Sequence, residues 1–178
     1  ETRADGSTIK FFGIVNASGI RSGWLSADGA RGRIADGNTI TYSNGDVYTG
    51  GMSGLKKSGT GTYNYKSGDV YTGSFSDDRA NGSGTMTYAN GNVYTGSFKD
   101  GLADGEGTYT YKSGDTYVGS FKAGRKNGTG TYTSGDAVYT GAYVNDVREG
   151  KGKQVYANGD VYEGEFKNDM RNGQGTYT

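Results

Sequence analysis

Between Tyr94 and Thr116 the chain reads YTGSFKDGLADGEGTYTYKSGDT, and two stretches of it alternate strictly. Tyr94, Gly96 and Phe98 share one parity while Thr95, Ser97 and Lys99 share the other; further on, Gly105, Gly107, Tyr109 and Tyr111 alternate with Glu106, Thr108, Thr110 and Lys112. A period of two, rich in Thr, Tyr and Phe, predicts strands with one aromatic and one polar face. Recurrent Gly and Thr in the interior speak against a helix. Two kinds of connection join the strands. The shorter reads YSNGD, YANGN or YANGD, at 42–46, 88–92 and 156–160, and its Asn-Gly pair supplies the positive φ that tight hairpin turns need. The longer, six residues rich in charge at 99–104 with counterparts at 76–81 and 122–127, reads as a solvent-exposed loop.

This unit recurs. Tyr48, Tyr71, Tyr94, Tyr117, Tyr139 and Tyr162 follow one another at intervals of 23, 23, 23, 22 and 23 residues, and each opens a phrase of the type YTGSF. Phe75, Phe98, Phe121, Tyr143 and Phe166 close those phrases, and a G-x-G pair follows each. Such a period predicts a stack whose function lies along a surface. The fold class expected is all-β: tandem β-hairpin repeats of about 23 residues forming an elongated, twisted single-layer antiparallel sheet. Both glycines of G-x-G are expected to leave bare backbone on which a neighbouring ring lies flat. The interval of 22 before Tyr139 implies a missing residue. A deletion inside a strand would turn every later side chain to the other face, so it is placed in the turn at 134–137, where the counterpart of Tyr111 is lost and a notch in the aromatic face follows.

Composition adjusts this picture rather than changing it. Only 31% of the 178 residues are hydrophobic, and 16 Tyr, 6 Phe and 35 Gly stand in for an aliphatic core. Lys plus Arg and Asp plus Glu both number 19, so the net charge is zero, which disfavours nucleic acid and purely polybasic membrane attachment. No signal-peptide pattern or run of transmembrane length is visible, and the compartment stays unassigned. The chain starts at Glu1 without Met and stops within a repeat at Thr178, as a processed or trimmed piece would. Cys and His are both absent, which removes disulfides and thiol chemistry together with the commonest general base and metal ligand. No catalytic residue, cofactor or metal site is assigned, and the chain reads as no enzyme.

The phrases Y-x-G-x-F, N-G-x-G or D-G-x-G, and Y-x-x-G-D-x-Y resemble the MORN repeat (membrane occupation and recognition nexus), most closely in YTGSFSDDRANGSGTMTYANGNVYTGSF at 71–98. The resemblance covers about 42–178. It implies β-hairpins in an elongated antiparallel sheet, with roles in scaffolding, tethering, dimerisation and sometimes membrane-proximal recruitment; phospholipid binding is attributed to such repeats. Residues 48–178 read as five full repeats and a truncated sixth. Residues 26–47 read as a degenerate repeat, and 1–25, with Phe11, Phe12 and Trp24, as a cap over the first edge.

Comparison of the copies separates frame from surface. The invariant opening tyrosines, phrase-closing aromatics and glycines are assigned to the stack. Tyr63, Met86, Tyr109, Tyr132, Gln154 and Tyr177 vary while facing the aromatic side, and form the expected groove for a helix, an extended segment or a second copy of the chain. Lys122, Arg125 and Lys126 cluster in sequence and are the candidate contact for an anionic lipid or an acidic partner. The recurring Asp46, Asp69, Asp115, Asp136 and Asp160, replaced once by Asn92, follow the turn glycine and are assigned to turn bonding rather than to calcium. The leading functional expectation is a non-catalytic scaffold or tether. The alternatives are a phosphoinositide-binding module and an accessory region of a larger enzyme.

Overall fold

The computed structural model describes residues 14–15, 21–27, 30–35, 39–54 and 56–178, with side chains from residue 39 onward. The side chains of the expected cap, Phe11, Phe12 and Trp24 among them, lie outside the described residues. Two compact units divide between Arg79 and Ala80. In the first, β1 (Ile14–Val15), β2 (Arg21–Ala27), β3 (Ala30–Ala35), β4 (Thr39–Tyr42), β5 (Val47–Ser53), β6 (Lys56–Asn64) and β7 (Val70–Ser76) each pair antiparallel with the next. The second is built in the same way from β8 (Arg79–Thr87), β9 (Val93–Lys99), β10 (Leu102–Thr110), β11 (Thr116–Lys122), β12 (Arg125–Ser134), β13 (Ala137–Val144), β14 (Val147–Val155), β15 (Val161–Lys167) and β16 (Met170–Tyr177). All the described regular structure is strand, as the alternation predicts.

The connections correct the sequence reading. The expected six-residue loops are mostly strand: β9 runs to Lys99 and β10 starts at Leu102, leaving the two-residue turn Asp100-Gly101. Ala123-Gly124, Asn145-Asp146 and Asn168-Asp169 do the same, and all eight of these residues have positive φ. Such turns match strand twist, so short polar residues extend the ladder instead of bulging from it. The phrase read as the shorter connection is the longer one. In Tyr88–Asn92, Gly91 donates its N–H to the Tyr88 carbonyl and Tyr88 donates to the Asn92 carbonyl. Only Gly91, not Asn90, takes a positive φ there.

The register places the core. Tyr94 stands opposite Tyr109 and Gly96 opposite Gly107, but Phe98 stands opposite Ala103, so β10 bulges between Ala103 and Gly107. Ser97 faces that interruption, and its carbonyl accepts the Tyr94 hydroxyl at 2.9 Å. The same bond to the residue three further on is made by Tyr48, Tyr71, Tyr117, Tyr139 and Tyr162. These hydroxyls satisfy backbone that the bulge would leave bare.

The two glycines of G-x-G therefore have separate duties. Gly107 carries the ring: a Cβ there would lie 2.5 Å from Tyr94 Cε2. Gly105 lies under no ring and has φ +105°, a conformation that suits glycine at a bulge. All six opening tyrosines are buried. In the second unit they form an edge-to-face chain, each touching the aromatic of its own phrase and, from Tyr94 to Tyr139, that of the next. The contacts run Tyr94–Phe98, Tyr94–Phe121, Tyr117–Phe121, Tyr117–Tyr143, Tyr139–Tyr143, Tyr139–Phe166 and Tyr162–Phe166, with centroids 4.9–5.4 Å apart. Tyr48, Phe75 and Tyr71 do likewise in the first unit. The other face carries hydroxyl pairs such as Thr62–Thr72 and Thr131–Thr140, each at 3.1 Å.

Candidate functional site

The expected groove residues stand beside the buried tyrosines on the intervening strands. Tyr63 is in register with Tyr48 and Tyr71, Tyr109 with Tyr94 and Tyr117, Tyr132 with Tyr117 and Tyr139, and Gln154 with Tyr139 and Tyr162. Met86 is in register with Tyr94, and Tyr177 with Tyr162. Unlike the frame they remain partly accessible, and Tyr177 is exposed. Their hydroxyls explain the recurring turn acid. Tyr63 donates to Asp46 at 2.8 Å, Tyr132 to Asp115 at 3.0 Å and Tyr177 to Asp160 at 2.6 Å, while Asn92 takes the acid's place and donates to Tyr109 at 3.0 Å. The second oxygen of Asp46 accepts the Lys66 amide of the following turn, as Asn92 accepts that of Lys112. Turn bonding is thus real, but it also joins one repeat to the next and clamps a surface ring.

These bonds shift the groups involved. Hydrogen bonds from Ser134, Tyr132 and Ser113 hold the Asp115 carboxyl below its usual range. Burial, and then the bond to Asp115, push Tyr132 up to about 12. Burial disfavours the Asp46 charge, but the Lys66 amide, the Tyr63 hydroxyl, Asn44 and the Lys57 cation outweigh it and keep the carboxyl low.

Each unit also carries cations beside its accessible tyrosines, of which the sequence reading named Lys126 alone. Lys57, Lys126, Arg148 and Arg171 are the second residue of their strands, in register with Met52, Phe121, Tyr143 and Phe166; Ala103 occupies the same place in β10. Lys57 Nζ sits 4.7 Å from the Tyr63 ring centroid and 5.3 Å from that of Tyr42. Arg148 and Arg171 lie over Tyr139 and Tyr162 at 5.3 and 5.4 Å. The available signal was parity: each falls on the aromatic side of its strand, and a cation over a ring face is stabilised there. Lys122, Arg125 and Lys126 do not act as one cluster. Lys122 and Arg125 pair across the Ala123-Gly124 turn and are exposed, whereas Lys126 faces Tyr111, Tyr117, Tyr132 and Tyr143.

The short repeat changes the surface where the interval of 22 implied. β12 and β13 are joined by the two residues Gly135 and Asp136, with Tyr132 still opposite Tyr139, so the deletion sits in the turn and the faces are kept. Beside it an open concavity of about 430 Å³ is lined by Tyr111, Lys126, Tyr132, Ser134, Arg148 and Gln154, among others. No three His, Cys, Asp or Glu side chains among the described residues are grouped to hold a metal ion, and no helix there is long and apolar enough to cross a membrane.

A family model, that of the MORN repeat, matches residues 71–93, 94–116, 117–136, 139–161 and 162–178. No curated protein sequence matches the chain significantly. Among solved structures, the TCP domain of SAS-4 from Drosophila melanogaster, in complex with a proline-rich motif of Ana2, is similar at a TM-score of 0.52 and 17% identity. The match covers 85% of this chain and 86% of that one. The TCP10 domain of Danio rerio CPAP, in complex with a peptide of STIL, gives a TM-score of 0.34 and 18% identity over 88% and 89%. The likeness to the SAS-4 domain is one of fold.

Proposed function

Because this chain belongs to the MORN-repeat family, we propose that it is a non-catalytic interaction scaffold whose aromatic face receives an extended segment of a protein partner. The observation that carries this reading is the row of partly accessible tyrosines, each tied by its hydroxyl to a turn carboxylate or amide. Such rings are rigid before binding, so a partner orders few side chains of this chain when it docks. Their spacing supports an extended occupant. Two strands per repeat advance about 9.6 Å, and one turn of polyproline II rises about 9.3 Å. A segment crossing the strands would bring every third residue over successive rings such as Tyr109 and Tyr132. Aromatic-lined troughs suit that conformation, in keeping with the proline-rich motif bound by the SAS-4 domain.

A proline-rich peptide array probes this directly. Tyr109→Ser with Tyr132→Ser should keep the strand signature in circular dichroism while weakening captured peptides at least tenfold, or about 1.4 kcal/mol. Undiminished capture by the folded double variant would remove the groove. Flotation with anionic vesicles and light scattering cover the lipid and second-copy readings. The lipid reading now rests on Lys122 and Arg125 without Lys126.

A further inference from the structure

In the second unit the accessible tyrosines touch in sequence, Tyr88 to Tyr109 to Tyr111 to Tyr132, with centroids 6.0, 4.8 and 5.9 Å apart. The run then breaks. Ser134 stands where the preceding repeat has Tyr111, and Gln154 where it has Tyr132. The concavity of about 430 Å³ opens at this break, with Lys126 on its wall. The Lys126 ammonium lies 5.1–5.7 Å from the centroids of Tyr111, Tyr117, Tyr132 and Tyr143, which hold it on the groove side.

Arg148, Gln154, Asp146 and Ser134, which also line the cavity, each have a hydrogen-bond partner. Arg148 donates through Nε to Asp169 Oδ1 at 3.2 Å, through Nη2 to the Asp169 carbonyl at 2.6 Å and through Nη1 to Gln154 Oε1 at 3.2 Å. Gln154 Nε2 donates to the Val138 and Val155 carbonyls. Asp146 Oδ1 accepts the backbone N–H of Lys126 at 2.8 Å, and Ser134 bonds Asp115. The Lys126 ammonium has three protons to donate, yet among the described residues it forms no ion pair and no side-chain hydrogen bond, and it lies against four rings. Lys57, its counterpart in the first unit, differs: its ammonium has the Tyr42 hydroxyl at 3.4 Å.

We infer that Lys126 selects a single carboxylate, an Asp or Glu side chain of an extended protein segment, at the break in the tyrosine row. The inference rests on the scaffold reading above and adds to it which residue of the segment is read. Two features favour a carboxylate over a phosphate headgroup. Asp146 and Asp169 border the cavity and would repel a dianion more than a monoanion, and of the two lining cations only Lys126 is without an ion pair. A carboxylate accepts one or two of the ammonium's protons in charge-assisted bonds, stronger than the neutral alternative of a backbone carbonyl.

The probe is a displayed library of random extended peptides in a proline-rich frame. It is selected on the whole chain, on Lys126→Met, on Lys126→Arg and on the Tyr109→Ser, Tyr132→Ser double variant, each first checked for an unchanged circular dichroism spectrum. Selection on the unaltered chain should enrich Asp or Glu at one fixed position. Replacing that acid by its amide, or Lys126 by Met, should each weaken binding tenfold or more, and together no further; Lys126→Arg should retain the preference. The inference is overturned if peptides bind through Tyr109 and Tyr132 but carry no fixed acid, or if Lys126→Met still selects one. It is equally overturned if phosphoinositide vesicles, and no acidic peptide, bind in a Lys126-dependent way. Failure to select any peptide would overturn the groove itself, a result distinct from the first two.

Discussion

Replacing Gly107 by Ala tests the packing of the frame. The added Cβ would lie 2.5 Å from Tyr94 Cε2 and hydroxyl oxygen and 2.7 Å from Cζ, against the roughly 3.5–4.0 Å of an ordinary carbon contact. The ring, 1% exposed, must therefore retreat by about 1 Å. That motion breaks the 2.9 Å bond to the Ser97 carbonyl, worth about 1 kcal/mol. It also disturbs two edge-to-face pairs, with Phe98 at 5.1 Å and Phe121 at 4.9 Å, worth about 0.5–1.5 kcal/mol each. Overpacking alone typically costs about 1–3 kcal/mol, so we expect a loss of about 2–4 kcal/mol. In a Tyr94→Leu background, where the clashing ring atoms are gone, Gly107→Ala should cost under about 1 kcal/mol, a coupling within the usual range for contacting residues. Gly105→Ala should instead cost about 1–2 kcal/mol in both backgrounds, because its penalty is the left-handed backbone at φ +105°. Urea unfolding by circular dichroism measures the totals, and native-state amide exchange in β9, β10 and β11 localises them. Equal cost of Gly107→Ala in both backgrounds would refute the ring-on-glycine argument.

Three further outcomes follow from the same geometry. Ala123 holds φ +49° in a two-residue turn, so Ala123→Asn or Ala123→Gly should raise stability by about 0.5–1 kcal/mol in the same urea titration. Carboxyl-detected NMR should find Asp46, Asp115 and Asp160 titrating below 3.8 in the folded chain, and Tyr132→Phe should move Asp115 up while leaving Asp46 in place. Their folded values are depressed, so the stability they confer is complete above the unfolded value and fades as pH falls through the folded ones. At the other end, burial pushes Tyr94, Tyr117 and Tyr132 up to about 12. Folding then favours the neutral phenol, so stability should decline as pH rises from 10 towards about 12, seen as tyrosinate absorbance appearing together with loss of the strand signal.

The strands, their faces and the pairing of opening tyrosine with glycine were legible because a period of two and a period of 23 reinforce each other. The turns were less legible, because Asn-Gly is not the only sign of a tight hairpin. Asp and Asn also tolerate positive φ, so Asp100, Asn145 and Asn168 build two-residue turns where a loop was expected. The twin roles of Gly105 and Gly107 were hidden for the same reason: one letter serves a dihedral in one place and a ring's space in the other. Lys126 was grouped with Lys122 and Arg125 by proximity in sequence, although parity about the turn puts it on the opposite face. The tyrosine hydroxyl bonds left no local sign, since donor and acceptor of the clamp lie 17 residues apart. The notch at Ser134 was readable because a missing residue in a strict period is itself a signal.

The edge-to-face chain of the second unit has a mechanical meaning. Links within a repeat alternate with links to the adjacent repeat alone, so a pull on the end carrying Tyr162 and Phe166 loads one interlock at a time rather than the whole unit. Each rupture would free one repeat of 22 or 23 residues, roughly 80 Å of extended chain, before the next ring pair takes the load. A stack made this way yields in steps and absorbs work at each one.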